Sequence, residues 1–275
     1  MIKLMYITNQ PAYAATAAAA GVNRIFVDLE YIGKEQRQGG MDTVKSHHTV
    51  DDVKAVREVV KAPAQLLVRV NPLYEGSAEE IDAVIGAGAD IVMLPMWTSA
   101  AEVRELVRLV GGRARVMPLL ETAQAADALD EVLELDGVDE IYIGLNDLHL
   151  SKKQPFIFCP LADGTVDGLC EKMRAAGMQY GFGGIAAMEG GLLPGALVLG
   201  EHMRLGSGAV ILSRSFCRND QPIEDFARIM TAQIAELRRK EREIVDIMTP
   251  EWAENNHRSV AACVQGIITE KEKRA

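Results

Sequence analysis

The sequence predicts a (β/α)8 barrel with additional C-terminal helices, and three observations predict it. Short apolar runs rich in β-branched residues alternate with helical patterns, which implies parallel strands joined by crossover helices. Eight such runs occur, the number that closes a barrel rather than an open doubly wound sheet. The length, 275 residues, matches the roughly 250 that a single barrel uses.

In order, strands are expected over Lys3 to Ile7, Arg24 to Glu30, Gln65 to Asn71 and Asp90 to Met96. The second four are Arg115 to Glu121, Asp139 to Leu145, Tyr180 to Ala186 and Ala209 to Ser215. The intervening runs, such as TVDDVKAVREVVKA, SAAEVRELVRLVGG and TAQAADALDEVLEL, read as helices. Several open on Ser or Thr with an acid soon after, and several close on Gly, which are helix-cap signals. The seventh helix is the weakest: in MEGGLLPGALVLGEHMRLG only the second half has helical character. Beyond Cys217, Asp220 to Met248 reads as a long amphipathic helix and Pro250 to Ile268 as another, with TEKEKRA fraying at the end. No Gly/Ser or Pro-rich linker divides the chain. One domain is therefore expected over 1–275, with 220–275 as a helical arm on the barrel or on a neighbouring subunit.

Composition excludes several classes. A net charge of −10, from 29 basic and 39 acidic residues, argues against a nucleic-acid or anionic-membrane surface. Cys159, Cys170, Cys217 and Cys263 are widely spaced, with no C-x-x-C, so neither a disulfide framework nor a zinc knuckle is indicated. No apolar run reaches the length of a membrane span, and the N-terminal run is too short for a signal peptide. A cytoplasmic protein is expected.

A parallel barrel builds its site from the C-terminal strand ends and the loops that follow. Asp28 and Glu30 lie at the end of the second strand, Arg69 and Asn71 at the third, Glu121 at the fifth, and Asp147 just beyond the sixth, in IYIGLNDLHLS. A carboxylate at the mouth of an apolar strand is costly unless its charge is compensated. Neighbouring strands lie about 4.8 Å apart, so Glu121 and Asp147 can share a cation. Two carboxylates without Cys or an adjacent His favour Mg2+ or Mn2+ over zinc. Gly144 admits close backbone approach, and the N–H groups of the Gly144–Leu145–Asn146–Asp147 turn suit a carboxylate. Arg69, in LLVRV, needs an anion: either a bound carboxylate, or Asp28 or Glu30 in a barrel salt bridge. Glu121 has a structural alternative too, capping the helix that begins TAQAADALDEV.

VDLEYIGK, LLVRVNPL, DIVMLPM, MPLLETAQA and IYIGLNDLHLS resemble, in order, the blocks of the HpcH/HpaI aldolase/citrate lyase family. The resemblance spans roughly Lys3 to Ser151 and continues more loosely through GFGGIA and the last strand. It implies a phosphoenolpyruvate/pyruvate-type barrel that binds Mg2+ or Mn2+ and stabilises an enolate during reversible C–C cleavage. Motif by motif, Glu121 and Asp147 fall on the metal carboxylates, and Arg69 on the arginine that holds the keto acid. Gly144 to Asp147 fall on the turn that binds the substrate carboxylate, and Asp28 on the acid of the second strand. Two departures stand out. The pyruvate aldolases carry D-G-E-H where this chain has Asp28-Leu29-Glu30-Tyr31, so their histidine is absent. The D-L-E form, followed by Lys34 and Arg37, resembles the CoA-ester lyase branch, but that branch's N-terminal arginine is missing.

The expected function is therefore a metal-dependent (class II) aldolase or lyase acting on a 2-oxo acid through a pyruvate enolate and releasing an aldehyde. A malyl- or citryl-CoA-type lyase and a non-catalytic keto-acid-binding barrel are the alternatives. The base is open: His149, two residues beyond Asp147, is the first candidate, with His47, His48 and His202 behind it and a metal-bound water as a further one. Lys152 and Lys153 are candidates for a phosphate or CoA contact. The loop Gly33 to Thr49 is long enough to serve as a lid. The family's C-terminal helices commonly join subunits, so a homo-oligomer, trimer or hexamer, is expected.

Overall fold

The computed structural model describes residues 1–33, 48–218 and 220–274. Eight parallel strands close into a barrel in sequence order. The first half holds β1 (Lys3–Ile7), α1 (Pro11–Ala19), β2 (Arg24–Asp28), α2 (Val50–Val59), β3 (Gln65–Arg69), α3 (Ser77–Gly86), β4 (Ile91–Leu94) and α4 (Ala100–Val110). The second half opens with β5 (Arg115–Leu120), the short helices α5 (Ala123–Asp127) and α6 (Leu129–Leu133), and β6 (Glu140–Ile143). Then follow α7 (Leu145–Ser151), α8 (Cys159–Ala162), α9 (Thr165–Ala175), β7 (Gln179–Ile185), α10 (Gly195–Leu205) and β8 (Ala209–Leu212). Two long helices, α11 (Ile223–Ile247) and α12 (Pro250–Arg274), end the chain.

The strands read as near-continuous apolar runs because both faces are buried. Outward side chains pack under the helices in one large cluster. Inward ones, among them Met5, Phe26, Leu67, Met93, Met117 and Tyr142, fill the barrel. The floor is polar: the Arg24 guanidinium donates to both oxygens of Glu140 at 2.9 and 2.7 Å, with both side chains buried. Caps follow the sequence signals. Thr49 and Asp52 form a capping box on α2. Glu102 accepts from the Ser99 N–H at 3.1 Å, and Gly111 closes α4 in the left-handed conformation.

The structure corrects several expectations. The run TAQAADALDEVLEL is two short helices meeting at Ala128 rather than one. The sixth strand ends at Ile143, so Leu145 and Asn146 belong to a helix and Asp147 lies in its first turn. The C-terminal helix runs on to Arg274 rather than fraying after Ile268. α11 packs against α1 and α10 of the barrel. Its buried residues Phe226, Met230, Ile234, Leu237, Glu241 and Ile244 recur at helical spacing, and Glu241 accepts from the Ile2 N–H at 2.6 Å. α12 packs on α10 and α8. Asn256 of α12 donates to the buried Glu201 at 2.8 Å, and Gly200 is the point of closest approach. The two glycine-flanked halves of the seventh β/α connection behave as read, with helix only from Gly195.

Candidate active site at the barrel mouth

At the C-terminal end of the barrel lies a cavity of about 360 Å³. Asp28, Arg69, Glu121, Gly144, Leu145, Asn146 and Asp147 all line it. His48, Thr8, Tyr142, Ser213 and Arg214 add to its polar wall, and Ile7, Phe26, Leu119, Ile157 and Ile211 to its apolar one. Together with His48, eight of the residues proposed from sequence thus share one cavity.

Arg69 and Asp28 are register partners on β3 and β2. The Arg69 Nε and Nη2 donate to the two Asp28 oxygens at 2.8 and 2.9 Å, and Nη2 also lies 3.2 Å from Glu30. Burial penalises the guanidinium, but Asp28 and Glu30 outweigh it and hold Arg69 charged. The barrel salt bridge is therefore formed, and the cavity wall still includes Arg69.

Glu121 follows β5 and is buried. One oxygen accepts from the Met96 N–H at 3.1 Å. Burial, then repulsion from Asp147, pushes its carboxyl well above the usual carboxylate range; Arg69 opposes this and Glu30 adds to it. Gly144 stands against the other oxygen: a Cβ there would lie 2.8 Å from Glu121 Oε2, so a larger residue would push the carboxylate aside. Met96 has φ +56°, a left-handed conformation unusual for a side chain of its size. Sequence reading missed Met96 because a backbone donor leaves no mark in residue type.

Among the described residues, the mouth brings the acids Asp28, Glu121 and Asp147 together with Arg69 and Arg214, and Glu30 lies beside Arg69. A divalent cation between Glu121 and Asp147 would offset the burial and the repulsion that raise Glu121, and this donor set fits a hard ion that takes two carboxylates and completes its shell with water and substrate oxygens. Among the described residues, no group of three or more His, Cys, Asp or Glu is placed to hold a metal by itself.

The histidine candidates separate. His149 is buried on α7, its Nδ1 3.2 Å from the Leu145 carbonyl, and burial lowers its pKa. It does not line the cavity, because the helix that replaces the expected strand end turns it away. His202 is stacked on Phe182 at 3.8 Å, between barrel and helix layer, with Nδ1 2.8 Å from Ser207 Oγ; burial lowers its pKa to about 3. His48 alone of the described candidates lines the mouth. His47, Lys34, Arg37 and most of the Gly33 to Thr49 loop lie outside the described residues. Lys152 and Lys153 are exposed beyond α7 and do not line the cavity. Cys170 and Cys217, pushed up by burial to about 12 and about 11, are inert thiols.

A sequence profile of the HpcH/HpaI aldolase/citrate lyase family matches residues 3–155. The chain is 25% identical over 214 residues to a 2-keto-3-deoxy-L-rhamnonate aldolase of Escherichia coli strain HS, covering 66% of this chain and 74% of that one. The fold superposes on an HpcH/HpaI aldolase/citrate lyase family protein from Burkholderia cenocepacia J2315 with a TM-score of 0.60 and 16% identity, over 86% of this chain and 94% of that one. An HpcH/HpaI aldolase from Desulfitobacterium hafniense DCB-2 gives the same TM-score and identity over 90% and 94%. With the profile spanning more than half of its length, this chain belongs to the HpcH/HpaI aldolase/citrate lyase family.

Proposed function

We propose that the protein is a divalent-metal-dependent aldolase that cleaves or forms the C–C bond of a 4-hydroxy-2-oxo acid through a pyruvate enolate. The observation that carries this reading is the pair Glu121 and Asp147. Two buried carboxylates face one cavity beside Gly144, where a Cβ would meet Glu121 Oε2 at 2.8 Å.

Glu121 and Asp147 would hold Mg2+ or Mn2+. Bound there, the ion supplies a Lewis acid for the negative charge that develops on the keto oxygen. Arg69 adds a fixed positive charge on the β3 side. Asp28 and Glu30 orient it, since a guanidinium bonded at two points cannot swing away. Asp28 is therefore a positioning residue for Arg69. The first-turn N–H groups of α7, at Leu145, Asn146 and Asp147, have no partner within the helix and suit the substrate carboxylate. Leu119, Phe26 and Ile211 keep the wall apolar, which strengthens each of these interactions.

The E. coli relative supports starting with 2-keto-3-deoxy-L-rhamnonate and shorter 4-hydroxy-2-oxo acids. Pyruvate release, coupled to lactate dehydrogenase, should require Mg2+ or Mn2+ and stop with EDTA. Release that persists in EDTA would reject the metal-dependent reading. Cleavage of a malyl- or citryl-CoA ester in place of any 2-oxo acid would favour the lyase alternative.

A further inference from the structure

The connection between β4 and α4 is tethered at both ends and strained in between. Pro95 follows β4, its φ fixed by the ring. At the far end, Glu102 accepts from the Thr98 N–H at 2.7 Å and from the Ser99 N–H at 3.1 Å. Between them stands Met96 at φ +56°, a conformation that costs energy in a residue with a long side chain and persists only where its surroundings hold it. Trp97, next along, is buried in the main apolar cluster and anchors the connection there.

Two hydrogen bonds tie this connection to the end of β5, and they run in opposite directions. The Met96 N–H donates to Glu121 Oε1 at 3.1 Å. The Thr122 hydroxyl donates to the Trp97 carbonyl at 2.9 Å. Met96 and Trp97 are adjacent in sequence, as are Glu121 and Thr122, so the two bonds close a ring. The Thr122 hydroxyl also accepts from the Ala125 N–H at 2.9 Å, which caps α5. A backbone amide can only donate, so the one hydroxyl proton is committed to Trp97. Thr122 is buried, which shields both bonds from competing water.

We propose that Thr122 is a positioning residue for the Glu121 carboxylate. Its hydroxyl holds the Trp97 carbonyl, which keeps Met96 left-handed, which aims the Met96 N–H at Oε1. The proposal rests on the metal reading above. With Oε1 fixed by main chain, Oε2 is left on the Gly144 side, where a Cβ would meet it at 2.8 Å. The carboxylate is thus oriented before an ion arrives. Without the hydroxyl, Met96 relaxes to a negative φ and its N–H turns away from Oε1.

Thr122→Val keeps the shape and removes the hydroxyl, whereas Thr122→Ser keeps the hydroxyl. Mn2+ titration followed by electron paramagnetic resonance, without substrate, reads the carboxylate. Amide hydrogen exchange reads the connection. In wild type the Met96 amide should exchange far more slowly than a solvent-exposed one. Thr122→Val should weaken Mn2+ binding by about 10- to 100-fold, the range for losing a group that orients a metal ligand. It should also speed exchange of the Met96 amide by about tenfold or more, as local opening becomes easier. Thr122→Ser should stay within about threefold of wild type in both measurements, since both bonds remain. Were Thr122 only the cap of α5, Thr122→Val would lower the melting temperature and speed exchange at Ala125, with Mn2+ affinity and the Met96 amide unchanged. That result would overturn the proposal. So would Thr122→Ser falling as far as Thr122→Val, or an unprotected Met96 amide in wild type. If wild type binds no Mn2+, the metal reading fails on its own, and the Met96 amide in Thr122→Val still decides whether the hydroxyl holds the connection.

Discussion

Asp28 and Arg69, register partners on adjacent strands, form a two-point ion pair at 2.8 and 2.9 Å in the wall of the cavity they serve. Arg69→Ala would leave Asp28 and Glu30 without the guanidinium they share. Removing one partner of a buried pair costs about 3–5 kcal/mol, so this variant should unfold at markedly lower denaturant. Arg69→Lys keeps a charge but not the fork. It should fold and raise KM for the 2-oxo acid by about tenfold, roughly 1.4 kcal/mol of binding. An unchanged KM would remove Arg69 from substrate binding.

Glu121 couples stability to pH and metal. Its carboxyl is raised by burial and by Asp147, so the folded protein holds a proton that the unfolded chain has released. Stability of the metal-free protein therefore falls as pH rises from the ordinary carboxylate range upward, by up to about 1.4 kcal/mol per pH unit. Added Mn2+ should raise the melting temperature most at the high-pH end. Glu121→Gln should flatten the metal-free slope and abolish the Mn2+ effect. Parallel pH curves for variant and wild type would contradict this.

Gly144 tests the geometry of the pair. A Cβ at this position would lie 2.8 Å from Glu121 Oε2 and 3.0 Å from Glu121 Cβ. Gly144→Ala should displace the carboxylate and weaken Mn2+ binding by more than about tenfold, the range seen when a metal ligand loses its orientation. Titration followed by electron paramagnetic resonance reads this directly. Wild-type Mn2+ affinity in this variant would show that Glu121 is not a ligand.

At the other end of the barrel, Arg24 and Glu140 serve stability alone. Arg24→Met should cost up to about 3–5 kcal/mol, because buried Glu140 would keep only the more distant Arg115 at 3.6 Å. Combining it with Glu140→Leu should recover most of that, since an apolar pair of similar volume avoids desolvating two charges. Denaturant titration of single and double variants checks both. A double variant no more stable than the single would reject the compensation.

The barrel was legible because its strands are buried on both faces and several of its helices carry a cap, as at Thr49, Ser99, Thr122 and Gly111. The site was legible where function lives in charged side chains on apolar strands, as at Arg69, Glu121 and Asp147. It was illegible where function depends on backbone. Nothing in the residue types marks the Met96 N–H that holds Glu121, or the helix that begins one residue after Gly144 and carries His149 away from the mouth. The Arg24–Glu140 pair was missed for another reason: each residue starts its strand, where a charge reads as a solvated end.

The central claim is that Glu121 and Asp147 support a pyruvate enolate. Exchange of pyruvate's methyl protons in D2O, followed by NMR with Mg2+ or Mn2+ and then with excess EDTA, tests it most directly. The account predicts exchange that requires the ion and is lost in both Glu121→Gln and Asp147→Asn. No exchange with either ion, or exchange untouched by EDTA, would contradict it.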